Sequence, residues 1–406
     1  MEGWPVRRME DLCEITSSKR IFTSDYVSEG VPFYRGKEIT EKFNGNLDVS
    51  IELFITEQKY AEIKNKFGAP EAGDMLLTSV GTLGSVYIVK PDDRFYFKDG
   101  NLTWFRNFKE LDSRYLYYWI CSTQGKSELK KCTIGSSQSA FTIVLLKSME
   151  IALPPIQYQR QIAFILSTYD DLIENCQRRI RILEDMARSL YREWFVKFRF
   201  PGHEKVRMVR SPLGDIPEGW EVRKLKDMCR LTMGQSPRSE FYNELGNGLP
   251  FHQGVTDFGD RFPSDRLFCT AGSRIAERGD ILFSVRAPVG RMNIANKKII
   301  LGRGLSAIRH NDDSQAFLWE QLRNHFIKDD MIGNGAIFAS VTKDDMQRIE
   351  LLCPPQSVVE LATKYLDPIH SKITTLSQQK KNLSHTRDLL LPRLMSGQIV
   401  LSYERE

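Results

Sequence analysis

Three short stretches of this chain, each present in two versions, carry groups suited to a polyanion or to the hydrogen-bonding edges of nucleobases. The first is Tyr34-Arg35-Gly36-Lys37, answered by His252-Gln253-Gly254. The second is Thr78-Ser79-Val80-Gly81-Thr82, answered by Ser284-Val285-Arg286-Ala287-Pro288 and then Arg291. The third is Gly135-Ser136-Ser137-Gln138-Ser139, answered by Gly333-Asn334-Gly335-Ala336. Base edges need matched donors and acceptors, whereas phosphates take Lys, Arg, hydroxyls or bare amides. By that chemistry the candidate contacts are Arg35, Lys37, Ser79, Thr82, Ser136, Gln138, His252, Gln253, Arg286, Arg291 and Asn334. The competing reading is that the glycines only make turns between strands. The expectation therefore rests on the loops more than on any one residue in them.

Signatures of catalysis are missing from the same scan. Gly125-Lys126-Ser127 ends like a phosphate-binding loop, but Ile120 stands where the first glycine belongs. No glycine-rich dinucleotide fingerprint follows a strand. Pro154-Pro155 and Pro354-Pro355 follow Leu and Cys, not the Asp or Asn of an amino-methyltransferase motif. Glu62-Ile63-Lys64 could be half of a nuclease carboxylate motif, and a solvated helix face explains it better. Six histidines show no metal-ligand spacing, so no metal is expected. Seven cysteines without a CxxC pair argue for a reducing cytoplasm. Trp104, Phe105, Tyr117 and Trp119 could stack on a flipped base but fit a core better. Trp4 and Trp220, equivalent in the repeat described next, fit as seals between each domain and its helices.

The elements that must position the three loops are themselves duplicated. Glu2-Gly3-Trp4-Pro5-Val6-Arg7 returns as Glu218-Gly219-Trp220-Glu221-Val222-Arg223, 216 residues later. Gly73-Asp74-Met75-Leu76-Leu77-Thr78 returns as Gly279-Asp280-Ile281-Leu282-Phe283-Ser284, and Leu153-Pro154-Pro155 as Cys353-Pro354-Pro355. A period near 200 residues is a whole unit used twice rather than a solenoid. Within each unit, β-branched and aromatic runs such as Val86-Tyr87-Ile88 and Lys298-Ile299-Ile300-Leu301 alternate with Gly, Pro and Asp turns. A short helix is expected around Ser113 to Cys121. The fold class is α+β: two pseudo-repeated α/β domains with mixed or antiparallel sheets, separated by two long antiparallel coiled-coil helices. At 406 residues, 41% hydrophobic and 27% charged, the chain can build such cores, and a net charge of +5 permits a polyanionic partner without requiring one. No run is long and apolar enough for a membrane span, and the N-terminus lacks a secretory signal pattern.

The long helices are read from seven-residue spacing. Ile162, Tyr169, Cys176, Leu183 and Leu190 form one seam, and Leu166, Ile173, Ile180, Ala187 and Trp194 the other, about five heptads in all. The second helix repeats the pattern as Ala362, Ile369, Leu376, Leu383 and Leu390, while Lys380 and Arg387 interrupt its other seam. The expected boundaries are a domain at 1–155, a helix at 156–200, a linker at 201–217, a second domain at 218–355 and a second helix at 356–400. An antiparallel helix pair would relate the two domains by an approximate two-fold axis, as a split DNA target requires.

Leu153-Pro154-Pro155-Ile156-Gln157, Tyr191-Arg192-Glu193-Trp194-Phe195-Val196, Asp215-Ile216-Pro217-Glu218-Gly219-Trp220 and Leu389-Leu390-Leu391-Pro392-Arg393-Leu394-Met395-Ser396-Gly397-Gln398-Ile399 resemble, in order, conserved blocks of type I restriction–modification specificity subunits. The resemblance covers essentially the whole chain. It implies a non-catalytic subunit whose target-recognition domains bind double-stranded DNA at an asymmetric bipartite site. It further implies partners: two methyltransferase subunits, and restriction subunits acting as motor and nuclease. No cofactor is expected in this chain; S-adenosylmethionine, ATP and Mg2+ would belong to those partners. The helices would be the docking surface, with Leu166, Ile173, Ile180, Leu183, Leu190, Leu376, Leu383 and Leu390 as candidate positions. The alternatives are a stand-alone DNA-binding scaffold and an orphan, methylation-only specificity subunit.

Overall fold

The computed structural model describes residues 4–46, 49–135, 139–328, 340–399 and 401. It divides into two compact units, one of residues 1–178 with 379–406 and the other of residues 179–378. Each unit thus takes part of both long helices.

In the first unit the strands Glu14–Thr16, Leu102–Arg106, Met75–Thr78 and Val86–Ile88 form an antiparallel sheet in that order. A second sheet orders Tyr26–Val27, Phe54–Ile55, Val31–Tyr34 and Tyr96–Phe97, its last pair being parallel. The strand Val6–Arg8 pairs with Glu150–Ala152 and so ties the two ends of the domain together. The second unit repeats this plan. Cys229–Met233, Leu305–His310, Ile281–Ser284 and Met292–Ile294 make the antiparallel sheet. Leu249–His252 and Ile299–Leu301 make the parallel pair, and Glu221–Lys224 with Glu350–Cys353 closes the domain. The second sheet of each unit is mixed because the crossover that returns the chain to the parallel position is long enough to do so.

Phe105, Trp119, Leu146 and Ile151 are buried in the first core; Phe283, Leu318, Leu322 and Met346 fill its counterpart. Trp104, Phe105 and Trp119 are core residues, and Tyr117 packs at that core's edge. The helix Ser113–Cys121 is capped by Asp112, whose carboxylate accepts from the Arg114 and Tyr115 amides. Helix Thr123–Lys131 follows at once, and Gly125 has a packing reason. A Cβ there would lie 2.0 Å from the Trp119 carbonyl oxygen and 2.7 Å from Ile120 Cα. Gly125-Lys126-Ser127 is therefore a close helix–helix approach. Gly125→Ala must force the two helices apart, and a loss of about 1–3 kcal/mol is expected. Urea unfolding with hydrogen exchange over 113–131 checks it, and unchanged protection there would refute the packing account.

The central helix runs Ile156–Tyr191 and continues as a π turn, Arg192–Val196. The C-terminal helix runs Gln356–Met395. Both begin directly after a Pro-Pro pair, where missing amide donors cost nothing. Within the first unit, Tyr158 donates to the Ile399 carbonyl and Arg387 pairs with Asp170 at 2.5 Å, so the two segments run antiparallel. Within the second unit, Trp194 meets Tyr365 edge-on, and Ala187, Ala362 and Leu366 are fully buried in one cluster. The basic interruption at Arg387 is thereby answered by an acid on the facing helix. Trp220 is buried against Phe195, Phe198 and Phe200, and Trp4 packs on Tyr158. Residues 208–217 hold a hairpin, Met208–Ser211 with Gly214–Pro217, where a plain linker is expected from sequence. Its turn is closed by the Ser211 hydroxyl, and Ile216 anchors it in the aromatic cluster.

Candidate nucleic-acid interface

The second loop of each unit is one and the same turn built from different residues. The Thr78 amide donates to the Ser85 carbonyl (2.9 Å) and the Ser85 amide returns to the Thr78 hydroxyl (2.9 Å). Ser284 and Arg291 make the same pair of bonds at 2.9 and 2.8 Å. Gly84 and Gly290 close the turns with φ near +86° and +89°, a conformation that needs glycine. The strand-end hydroxyl is thus spent inside the turn, and the exposed tip differs: Gly81-Thr82 in one unit, Arg286-Ala287-Pro288 in the other.

Around this turn, backbone hydrogen bonds draw the other loops to one junction. In the first unit Lys98 donates to Tyr34, Ser79 to Asn101 and Phe141 to Ser79, at 2.8, 2.8 and 3.0 Å. In the second, Gly302 donates to His252, Val285 to Gly304 and Val341 to Val285, at 2.8, 2.9 and 2.8 Å. The first two predicted loops do come together. With them comes a fourth element, residues 98–101 and 302–304, which sequence reasoning missed. The available signal was Gly302-Arg303-Gly304. A Cβ at Gly302 would sit 2.6 Å from Gln253 Cα, and one at Gly304 2.4 Å from the Gln253 carbonyl oxygen, so both must be glycine. They hold Arg303 up between them.

In the second unit the junction opens into a cleft of about 330 Å³ lined by Gln253, Thr256, Asp257, Arg266, Arg286 and Arg303, among others. Arg266 is tied to Asp257 at 3.0 Å. Arg286, Arg291 and Arg303 are exposed, and none is ion-paired among the described residues. A free guanidinium offers a planar fork of donors that fits guanine O6 and N7 or two phosphate oxygens. Gln253 is exposed beside them, an amide that can both donate and accept.

The first unit differs in charge. Arg35 caps the helix Gly36–Phe43, and its guanidinium is held by buried Glu38 (2.7 Å) and by Glu52 (2.8 Å). Lys37 also pairs with Glu52, at 2.6 Å, and Lys37 together with Arg35 holds that carboxyl down at about 2. The two cations are matched by two carboxylates, so their charge is largely neutralised in place. Thr82 and Lys98 are exposed polar groups at this junction that make no ion pair among the described residues.

Two predicted contacts are corrected by burial. Ser79 is 3% exposed, with its hydroxyl 2.6 Å from that of Thr103. His252 is fully buried, its ring between Asp257 (3.8 Å) and Asp265 (3.5 Å). Burial pushes its pKa down while the two carboxylates oppose that shift. Both residues lie at the ends of strands that are buried on both faces, so neither side chain reaches the surface of the junction. Ser136, Gln138 and Asn334 lie outside the described residues. On the helices, Leu166 and Leu376 are buried, while Ile173, Ile180, Leu183, Leu190, Leu383 and Leu390 are half-buried. The exposed apolar residues are others: Phe164, Leu172 and Leu389 in the first unit, Ile182, Met186 and Tyr365 in the second.

Comparison with known proteins follows the same two-part division. Residues 1–184 and 217–384 match the type I restriction modification DNA specificity domain. The chain is 30% identical to a putative type I restriction enzyme MjaX specificity subunit of Methanocaldococcus jannaschii, over 98% of this chain and 94% of the relative. It is 26% identical to the MjaIX specificity subunit of the same organism, with the same coverage. In fold it is similar to the crystal structure of a type I restriction–modification S subunit from M. genitalium, with TM-score 0.63, 18% identity and 96% of each chain covered.

Proposed function

The chain belongs to the family of type I restriction–modification DNA specificity subunits, and from that premise we propose that each of its two units reads one half of a bipartite, asymmetric DNA target. The observation that carries this reading is the loop junction, built twice on the same backbone bonds and furnished with unlike side chains. A junction bearing Gln253, Arg286 and Arg303 selects different bases from one bearing Thr82 and Lys98. In this reading the chain performs no bond chemistry. Its work is to bind DNA and hold partners over it: two methyltransferase subunits using S-adenosylmethionine, and restriction subunits using ATP and Mg2+. The docking surface is the outward side of the helices, where Phe164, Ile182 and Met186 are exposed, rather than the inward seam.

Co-expression with the methyltransferase encoded beside this chain, followed by mapping of modified adenines, tests the reading. The expected result is one motif of two unlike half-sites around a fixed unspecified spacer. An active, soluble complex that yields no motif refutes it and leaves a DNA-binding scaffold. A motif without any restriction of unmodified DNA identifies a methylation-only system.

A further inference from the structure

The loop that lines the second unit's cleft is anchored at its other end by a buried charge network. Residues 253–267 leave the strand Leu249–His252, and Gln253, Thr256, Asp257 and Arg266 border the cleft. Between them the backbone folds tightly: the Gly259 amide donates to the Phe262 carbonyl, and a Cβ at Gly259 would lie 2.7 Å from that oxygen. This bend drives Arg261 inward to 4% exposure, over the face of Trp319. Its guanidinium donates to His370 Nδ1 at 2.7 Å and lies 3.9 Å from Glu184. His370 Nε2 in turn meets Glu320 Oε1 at 3.1 Å. Four elements are joined in this way: the loop, the central helix, the helix Gln315–Lys328 and the C-terminal helix.

Hydrogen-bond roles fix the state of the imidazole. Arg261 only donates, so Nδ1 must accept; Glu320 only accepts, so Nε2 carries the proton. His370 is thus neutral while the lock is closed. The charged groups facing it are Arg261 from the loop, Glu320 from the neighbouring helix and Asp367 from its own; Glu184 and Arg323 act through Arg261. A second proton would set imidazolium against guanidinium with no room for both. The corresponding loop of the first unit is tied differently, by the Gln177 amide donating to the Gly45 carbonyl at 2.8 Å. Nothing in that bond titrates.

We propose that the Arg261–His370–Glu320 lock positions the reading loop of the second unit, and that doubly protonated His370 releases this loop while the first unit's loop stays in place. The consequence for DNA rests on the function proposed above; the lock itself does not. Burial, chiefly, makes His370 harder to protonate in the folded chain than in the unfolded one. Its contribution is therefore complete above the ordinary imidazole value of about 6.5, falls about tenfold per pH unit below it, and levels off only once the lower folded value is passed and both states carry the proton.

The test is hydrogen exchange of the full chain from about pH 7.5 to about pH 5, corrected for the intrinsic pH dependence of exchange. Residues 255–265 and 366–373 should lose protection at least about tenfold in acid, with 41–46 and 166–178 unchanged. His370→Asn, which keeps an acceptor and cannot titrate, should abolish the pH response. Equal losses in both units, full protection of 255–265 at the acid end, or an unchanged response in His370→Asn would each overturn the proposal. These outcomes need no DNA, so they stand apart from any failure to find a target. Once the half-sites are mapped, a duplex carrying both should lose in acid only the contribution of the half-site read by the second unit.

Discussion

Replacing Arg286 and Arg303 together by alanine is expected to weaken binding of the cognate duplex by about 2–6 kcal/mol, roughly 30-fold to 10⁴-fold. Both side chains stand at the mouth of one cleft, exposed and without a carboxylate partner among the described residues. Neither supports the fold, so thermal unfolding should be unchanged. Fluorescence anisotropy on the mapped duplex checks the affinity, and the salt slope divides the two kinds of contact. A guanidinium on a base edge relaxes specificity at one position of one half-site; one on a phosphate weakens all sequences alike and lowers the slope by about one. Unchanged affinity would remove the cleft from the interface. Arg35→Ala makes the contrasting case. Its guanidinium is already engaged by Glu38 and Glu52, so the larger effect falls on stability, because buried Glu38 loses its cation and, among the described residues, keeps only the Arg35 backbone amide as a donor.

The second large effect is structural. Phe195→Ala should destabilise the second unit by about 3–5 kcal/mol, since it empties the centre of an aromatic cluster. The ring lies 4.9 Å from Phe317, 5.1 Å from Tyr191 and 5.8 Å from Trp220, centroid to centroid. It joins the last turn of the central helix to the repeat's opening segment and to the helix Gln315–Lys328. Two units need not unfold together, so a single unfolding free energy is the wrong readout. Hydrogen exchange by segment is the right one: residues 187–222 and 315–326 lose protection, and 75–78 with 102–106 keep theirs. Phe195→Leu should restore most of the loss. Equal loss in both units would mean that the cluster is not local to the second.

Much of this protein is written in local and periodic features. The duplication shows because two copies of a fold keep the same glycines, prolines and opening tryptophan. The helices show because a buried stripe must recur with the helical period, and Ile162, Leu166, Ala362 and Leu366 are indeed fully buried. Strand ends and turns were legible for similar reasons, since Gly84 and Gly290 sit where a positive φ is required. The tertiary structure alone decided which polar side chains are free. Ser79 and His252 look like contacts in sequence and are consumed inside, whereas Arg303, between two glycines, becomes the exposed one. Arg35 keeps its charge but gives it to Glu52, 17 residues away. Arg261 meets His370 across 109 residues of chain. A residue's type and its neighbours set what it can bond to; which partner reaches it first is a matter of distance in the folded chain, and no periodicity in the sequence encodes that distance.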